Sequence, residues 1–307
     1  MFDYDAVIVG GGPAGLTAGL YLSRGNWRTL LVDKESPGGY IKNIELIENY
    51  PGFSEGVAGA QLATQMVKQA TKYGLKFEQA EVSTVEIFSS SKWVGCVDGK
   101  GFTTGAIIFT GGSVPKKLGV PGEEEFRDKG VIGCAFCDGG QFAGKTIVVC
   151  GGGDSGVTEA LYLSKIADKV IVVEAMPQLN ATAILQDRLK ENPKMEVFTG
   201  AMVKEILGSN HVEGISILRD GNDQVETIQT DGVLVHIGLD PNTSYLDGIV
   251  PLTESEQIEV NGWMEAELPG VFAAGDIRSD SPRQVSAAVG DGAAAGMAAQ
   301  RYLQQQG

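Results

Sequence analysis

The chain has 307 residues, with 39 acids against 24 lysines and arginines and a net charge of −15 at pH 7. That surplus disfavours nucleic acid and anionic membrane surfaces as partners, since both carry the same sign. No apolar run approaches the ~18 residues needed to span a bilayer, and the length suggests two domains.

The first predicted element is a strand in "MFDYDAVIVGGG", with no basic leader or cleavable apolar segment before it, so a cytoplasmic protein is expected. The strand runs into a glycine loop and a helix, "DAVIVGGGPAGLTAGLYL". Next, "RTLLV" reads as a second strand closed by Asp33. An amphipathic helix is predicted over 59–74, then β runs near 76–88, 92–98 and 102–109. "TGGSVPKKLGVPG" (110–122) is a Gly/Pro-rich crossover.

The opening pattern then returns. "KTIVVCGGGDSGVTEALYL" repeats strand, G-x-G-x-x-G and helix, offset by 141 residues. The glycines are Gly10, Gly12 and Gly15 in the first copy and Gly151, Gly153 and Gly156 in the second. In each copy an acid, Asp33 or Glu174, closes the next strand 18 residues past the third glycine. One G-x-G-x-x-G is weak evidence; strand, glycines, helix, strand and acid in register, twice, is strong. The first glycine makes a tight turn, the second admits a pyrophosphate, and the third lets helix and strand pack. The helix N-terminus offers N–H groups to the anion, and the acid accepts ribose hydroxyls.

After a second crossover, "HIGLDPNTSYLDG" (236–248), the tail "VFAAGDIRSDSPRQVSAAVGDGAAAGMAAQRYL" reads as a strand, a Gly-Asp turn and a small-residue helix over 282–303. The expected fold is α/β, with two Rossmann-like, doubly wound, three-layer dinucleotide-binding domains, the second inserted into the first. The expected boundaries are 1–114 with 241–307, and 115–240.

Cys134 and Cys137 form C-x-x-C in "GCAFCDGG". A zinc site needs about four ligands. Cys96 and Cys150 sit in separate β runs, and His211 and His236 read as structural or surface residues, so no metal is expected. Redox use is favoured, because a helix start lowers the pKa of one thiol and makes it a nucleophile. Asp138 follows directly, as either a first-turn acid or a catalytic one.

On "VGGGPAG", "GG…ENYPGF" (38–53), "GCAFCDG", "GGGDSGVTEALYL", "IGLDPNT" and "AAGDIRSDSPRQVSAA", the chain resembles the low-molecular-weight thioredoxin reductases and related FAD-dependent disulfide reductases over nearly its full length. The resemblance implies FAD contacts at Gly10, Gly12, Gly15, Asp33, Asn49, Gly275, Asp276, Arg283, Gln284 and Val285, with Pro13, Ala14, Lys34 and Gly39 beside them. It also implies that Cys137 faces the flavin, Cys134 attacks a partner disulfide and Asp138 protonates the leaving thiolate. A homodimer, a thioredoxin-like partner and rotation about hinges at 113–118 and 238–244 are implied in the same way.

Two positions depart from the family. Tyr40 stands where Gln is usual; it either gates the flavin pocket or is inert packing. More consequentially, the H-R-R-x-x-x-R pattern that clamps the NADPH 2′-phosphate is missing: no Lys or Arg occurs from Val170 to Asp187. A 2′-phosphate would meet Glu174 instead, and like charges ~4 Å apart at an effective dielectric near 20 cost roughly 4 kcal/mol. NADPH is therefore disfavoured. NADH remains open, with Gly151, Gly153, Asp154, Ser155, Gly156 and Glu174 as its site. So do a vestigial site fed by ferredoxin or another reductant, a dithiol oxidase using oxygen, and a flavin-bound redox sensor without turnover. A ferredoxin would need a basic patch, for which Lys116, Lys117, Arg127, Lys129 and Lys145 are candidates.

Overall fold

Alternation of buried β runs with small-residue helices sets the architecture. The computed structural model describes residues 2–221 and 224–306. In chain order come β1 (Tyr4–Val9), α1 (Pro13–Arg24), β2 (Thr29–Asp33), α2 (Gly59–Thr71), β3 (Lys76–Gln79), β4 (Val82–Ile87), β5 (Lys92–Cys96), β6 (Gly101–Phe109) and β7 (Ser113–Pro115). Then follow β8 (Val131–Ile132), α3 (Ala135–Asp138), β9 (Thr146–Cys150), α4 (Asp154–Leu163), β10 (Lys169–Glu174), α5 (Ala183–Glu191) and β11 (Met195–Thr199). The chain continues through β12 (Ala201–Gly208), β13 (Val212–Arg219), β14 (Val225–Gln229), β15 (Gly232–Val235), β16 (Leu239–Pro241), β17 (Val271–Ala273) and α6 (Val285–Gln306). It divides into two units, Met1–Val114 with Pro241–Gly307, and Pro115–Asp240.

In the first unit the sheet order is β3-β2-β1-β6-β5-β4, with β17 also on β6. β1, β2, β3, β6 and β17 run parallel, and β4 and β5 add an antiparallel hairpin edge. Parallel strands covered on both faces read as continuous apolar runs; Ala6, Val7 and Ile8 are wholly buried accordingly. On one face α6 lies on α1. Gly292 is required there, because a Cβ would meet the Ala14 carbonyl oxygen at 2.2 Å. Alanines 295, 298 and 299 then complete a contact that larger side chains would hold apart.

The second unit repeats the plan with the parallel order β11-β10-β9-β15-β8, plus an antiparallel sheet β12-β13-β14. Two cores pack on the faces of its parallel sheet. Both units thus have the doubly wound form expected. Helix α6 begins at Val285 rather than 282, because Arg283 adopts a left-handed backbone with φ 55°. None of the helices among the described residues is long and apolar enough to cross a membrane.

One core residue is out of character. Lys92 on β5 is fully buried, and its Nζ donates to the Gly105 carbonyl at 2.9 Å and to Tyr302 Oη at 3.2 Å. Burial holds its pKa down to about 8. The unfolded chain keeps this lysine protonated to about pH 10.4, so between those values it binds more protons than the folded one. Stability therefore rises with pH across that window and is lost as pH falls through the folded value. Thermal unfolding from about pH 7.5 to about pH 9.5 should show the wild-type midpoint climbing relative to Lys92→Met. Parallel curves would refute this.

Candidate active site

The glycine loop of the first unit leaves the C-terminal end of β1, between β2 and β6, where an open parallel sheet forms its ligand crevice. Gly10 has φ 111°, and a Cβ there would meet the Thr110 carbonyl oxygen at 2.3 Å. At Gly15 a Cβ would strike the Gly10 oxygen at 2.0 Å, so close helix–strand packing explains it. Gly12 is different: a Cβ there comes no nearer than 3.9 Å to anything. It is the N-cap of α1, with Pro13 behind it and no side chain capping the helix. An open, uncapped N-terminus of this kind is the cradle a pyrophosphate requires.

Asp33 has a structural role. Its carboxylate accepts the Gly11 N–H at 2.6 Å and the Glu35 N–H at 2.8 Å, bracing the loop. Beyond exposed Lys34, the chain folds back so that the Gly38 N–H donates to the Gly11 carbonyl at 2.7 Å. Gly39 then abuts Gly12, while Tyr40 stands exposed on a short 3₁₀ turn.

The tail brings up the remaining residues of this unit. Asn49 donates through Nδ2 to Gln284 Oε1 at 2.9 Å, across 235 positions of sequence. Gly275 follows β17, and its N–H donates to Asp291 Oδ2 at 3.1 Å. Asp276 has one long hydrogen bond, from Ser281 Oγ at 3.4 Å, and burial raises its pKa. A half-buried carboxylate so sparsely satisfied suits a ligand hydroxyl. These residues fit FAD: a phosphate cradle, an acid at the β2 end and a free acceptor on the Gly-Asp turn.

The second unit reproduces the loop almost atom for atom. Gly151 packs against the His236 carbonyl, and Gly156 against the Gly151 carbonyl. Glu174 accepts the Gly152 N–H at 2.6 Å and the Met176 N–H at 2.8 Å, as Asp33 does in the first copy. Gly153 caps α4 and has no side chain to offer, while Asp154 in the first turn accepts the Thr182 N–H at 2.6 Å. Ser155 is exposed on the first turn. The segment after Glu174 folds over the loop, its Asn180 and Ala181 N–H groups donating to the Gly152 carbonyl at 3.2 and 3.1 Å. Asn180 Oδ1 lies 3.1 Å from where a Cβ on Gly153 would sit.

Cys134 and Cys137 form a disulfide, with Cα atoms 5.4 Å apart. Cys134 is the N-cap of α3, and its Sγ accepts the Cys137 N–H at 3.1 Å. Cys134 is half-buried; Cys137 and Asp138 are exposed. Phe136, between the cysteines, leans on Tyr162 at 5.7 Å. Cys96 and Cys150 are buried, and desolvation pushes the Cys150 thiol up to about 12. His211 is exposed, whereas His236 is half-buried, with its side chain buried against Glu159. The described residues hold no cluster of three or more metal-ligating side chains.

Three groups escaped the sequence reading. Arg278 and Asp291 form a buried bidentate pair under the Gly-Asp turn. Glu159, on α4, reaches the dithiol helix. Asn180 sits on the second loop. Glu159 and Arg278 lie inside quoted motifs, but at positions whose side chains those motifs do not explain; Asp291 shows only as an isolated charge within a small-residue helix, and Asn180 carries no signal.

Comparison with known proteins agrees with this geometry. The pyridine nucleotide-disulphide oxidoreductase family model matches residues 4–292. Thioredoxin reductase of Bacillus subtilis strain 168 is 39% identical over 303 residues, covering 98% of this chain and 95% of that protein. The crystal structure of Lactococcus lactis thioredoxin reductase in its FR conformation superposes with a TM-score of 0.96 at 34% identity, covering 99% of this chain and 100% of that one. The T. acidophilum thioredoxin reductase structure gives 0.93 at 33%, covering 99% of each chain. With two dinucleotide folds and a C-x-x-C disulfide, the class is that of an FAD-dependent disulfide reductase. The chain belongs to the pyridine nucleotide-disulphide oxidoreductase family, among its low-molecular-weight thioredoxin reductases.

Proposed function

We propose that the enzyme passes electrons from NADH through FAD and the Cys134–Cys137 dithiol to the disulfide of a thioredoxin-like protein. The construction of the second loop carries the donor reading. Its acid is retained, its helix is uncapped, and no base follows in the segment to 187. Glu174 spends one lone pair of each oxygen on a backbone N–H, which leaves lone pairs for a ribose 2′-OH. A 2′-phosphate offers no proton to those lone pairs and adds charge repulsion.

FAD, when bound by the first unit, supplies a two-electron carrier between nucleotide and disulfide. Gly12 and the α1 N-terminus would hold its pyrophosphate, Asp33 its ribose and Asp276 its hydroxylated chain, with Asn49, Arg283, Gln284 and Val285 at the flavin end. In the dithiol form, Cys134 attacks the partner disulfide and displaces a thiolate, which Asp138 protonates. Cys137 then attacks Cys134 Sγ, reforming the disulfide and releasing the reduced partner.

The ferredoxin route has weaker support. Of its five candidate bases, Lys116 pairs with Asp240, and Lys117 and Arg127 both pair with Glu124. Anaerobic mixing with NADH, NADPH or chemically reduced ferredoxin, followed by flavin bleaching, tests the donor. NADH should bleach at micromolar levels, with NADPH at least about a hundredfold less effective, as ~3 kcal/mol of lost affinity requires. Fast bleaching by NADPH would overturn the reading of Glu174. Bleaching by ferredoxin alone would mark the second site as vestigial, and oxygen uptake with a dithiol and no nucleotide would favour an oxidase.

A further inference from the structure

We propose that Glu159, packed against His236, is a positioning residue that holds the dithiol helix and makes the Cys134–Cys137 pair a stronger reductant. This rests on the reading of that pair as the redox centre.

The helix that carries the cysteines cannot hold itself. α3 spans four residues, Ala135–Asp138. One turn fixes several dihedrals for a single hydrogen bond, so it forms only where its surroundings impose it. The first N–H groups of any helix lack internal partners. In α3 the Cys137 N–H uses the Cys134 sulfur, a weak acceptor. Ala135 is wholly buried, out of reach of water, and its N–H donates instead to Glu159 Oε2 at 2.8 Å. A carboxylate acceptor makes this a charge-assisted bond.

Glu159 also has a close neighbour on its far side. Its other oxygen, Oε1, lies 3.0 Å from His236 Nε2 without hydrogen-bond alignment, and the His236 side chain is 5% exposed. Backbone contacts fix the histidine just beyond β15: its N–H donates to the Cys150 carbonyl at 2.8 Å, and its own carbonyl packs on Gly151. The carboxylate thus packs against the end of one strand and is hydrogen-bonded to the start of the dithiol helix.

Packing alone would not call for a charge here. A carboxylate bound to the residue after Cys134 opposes a thiolate on Cys134, because like charges disfavour ionisation. It therefore weights the equilibrium against the reduced form, and the dithiol gives up electrons more readily. Reduction also cuts the covalent clamp between the cysteines. The Glu159 bond keeps the two sulfurs at re-closing distance, which again favours the disulfide. Charge and anchoring push the same way, and both suit a dithiol whose task is to reduce a partner.

The test uses FAD-loaded Glu159→Gln, Glu159→Ala and His236→Asn enzymes. Each dithiol is equilibrated against a glutathione redox buffer, and kcat and KM are measured with thioredoxin. Glu159→Gln keeps an acceptor for Ala135 and removes the charge. It should shift the dithiol equilibrium about tenfold toward the reduced form, equivalent to about 30 mV upward. Glu159→Ala should shift it further and lower kcat more than it raises KM. His236→Asn should fall between wild type and Glu159→Gln. Equilibria within about twofold of wild type for the folded Gln and Ala enzymes would overturn the proposal. If Glu159→Ala does not fold, Glu159→Gln decides alone. Should a Cys137→Ser enzyme keep full disulfide reductase activity, the fault would lie in the dithiol reading and not in Glu159.

Discussion

Cys137→Ser is expected to lower disulfide reduction by about 10³-fold or more while FAD stays bound. Thiol–disulfide exchange needs a second thiolate to resolve the mixed disulfide formed by the first. Serine offers an oxygen of far higher pKa, so Cys134 can attack a partner but cannot release it. Little else in the fold depends on that sulfur. The Cys137 side chain is exposed, and its backbone N–H can still reach Cys134 Sγ. The residues proposed for FAD belong to the other unit of the chain, 1–114 with 241–307. The variant should therefore keep its flavin absorbance, and it should trap thioredoxin as a covalent adduct visible on a non-reducing gel. Cys134→Ser should be equally inactive and trap nothing. Normal turnover by either variant would sink the dithiol assignment.

The sequence made the doubled architecture readable because each glycine of the repeat answers a local constraint. Gly10 and Gly15 are forced by carbonyls within 2.3 Å of any Cβ, and such constraints recur wherever this turn is built. The acids at 33 and 174 were also visible, though not their work: both brace their loops through two backbone N–H groups each. Helix starts were read less well. Nothing in "SDSPRQ" announces that Arg283 turns left-handed and delays α6 to Val285. Long-range pairs left no trace. Glu159 meets Ala135 and His236 only because β9, α4 and β15 converge there, and a lone histidine at a strand end reads the same whether buried or not. Spacing reports what the backbone must do locally; it is silent about which charged side chains the fold brings together.

Asp291→Ala is expected to remove FAD and to destabilise the enzyme by about 3–5 kcal/mol, as breaking a buried ion pair from one side does. Arg278 Nε and Nη2 approach Asp291 at 2.7 and 3.0 Å, with both side chains no more than 13% exposed. The same carboxylate accepts the Gly275 N–H, so its loss strands a guanidinium and a backbone donor together. The segment they hold, 275–279, is the Gly-Asp turn that presents Asp276. Heat-induced unfolding should move down by roughly ten degrees, at about 2–4 °C per kcal/mol for a chain region of this size. Flavin content after purification should fall with it. A double variant, Arg278→Met with Asp291→Leu, separates the two effects, because apolar replacement of a buried pair is often neutral for stability. That protein should regain most of its melting temperature. Its FAD affinity should stay weak, since no acceptor remains to fix Gly275 and aim Asp276. Full recovery of flavin binding in the double variant would show that the pair serves stability alone, and a melting temperature unchanged in Asp291→Ala would remove the pair from the account altogether.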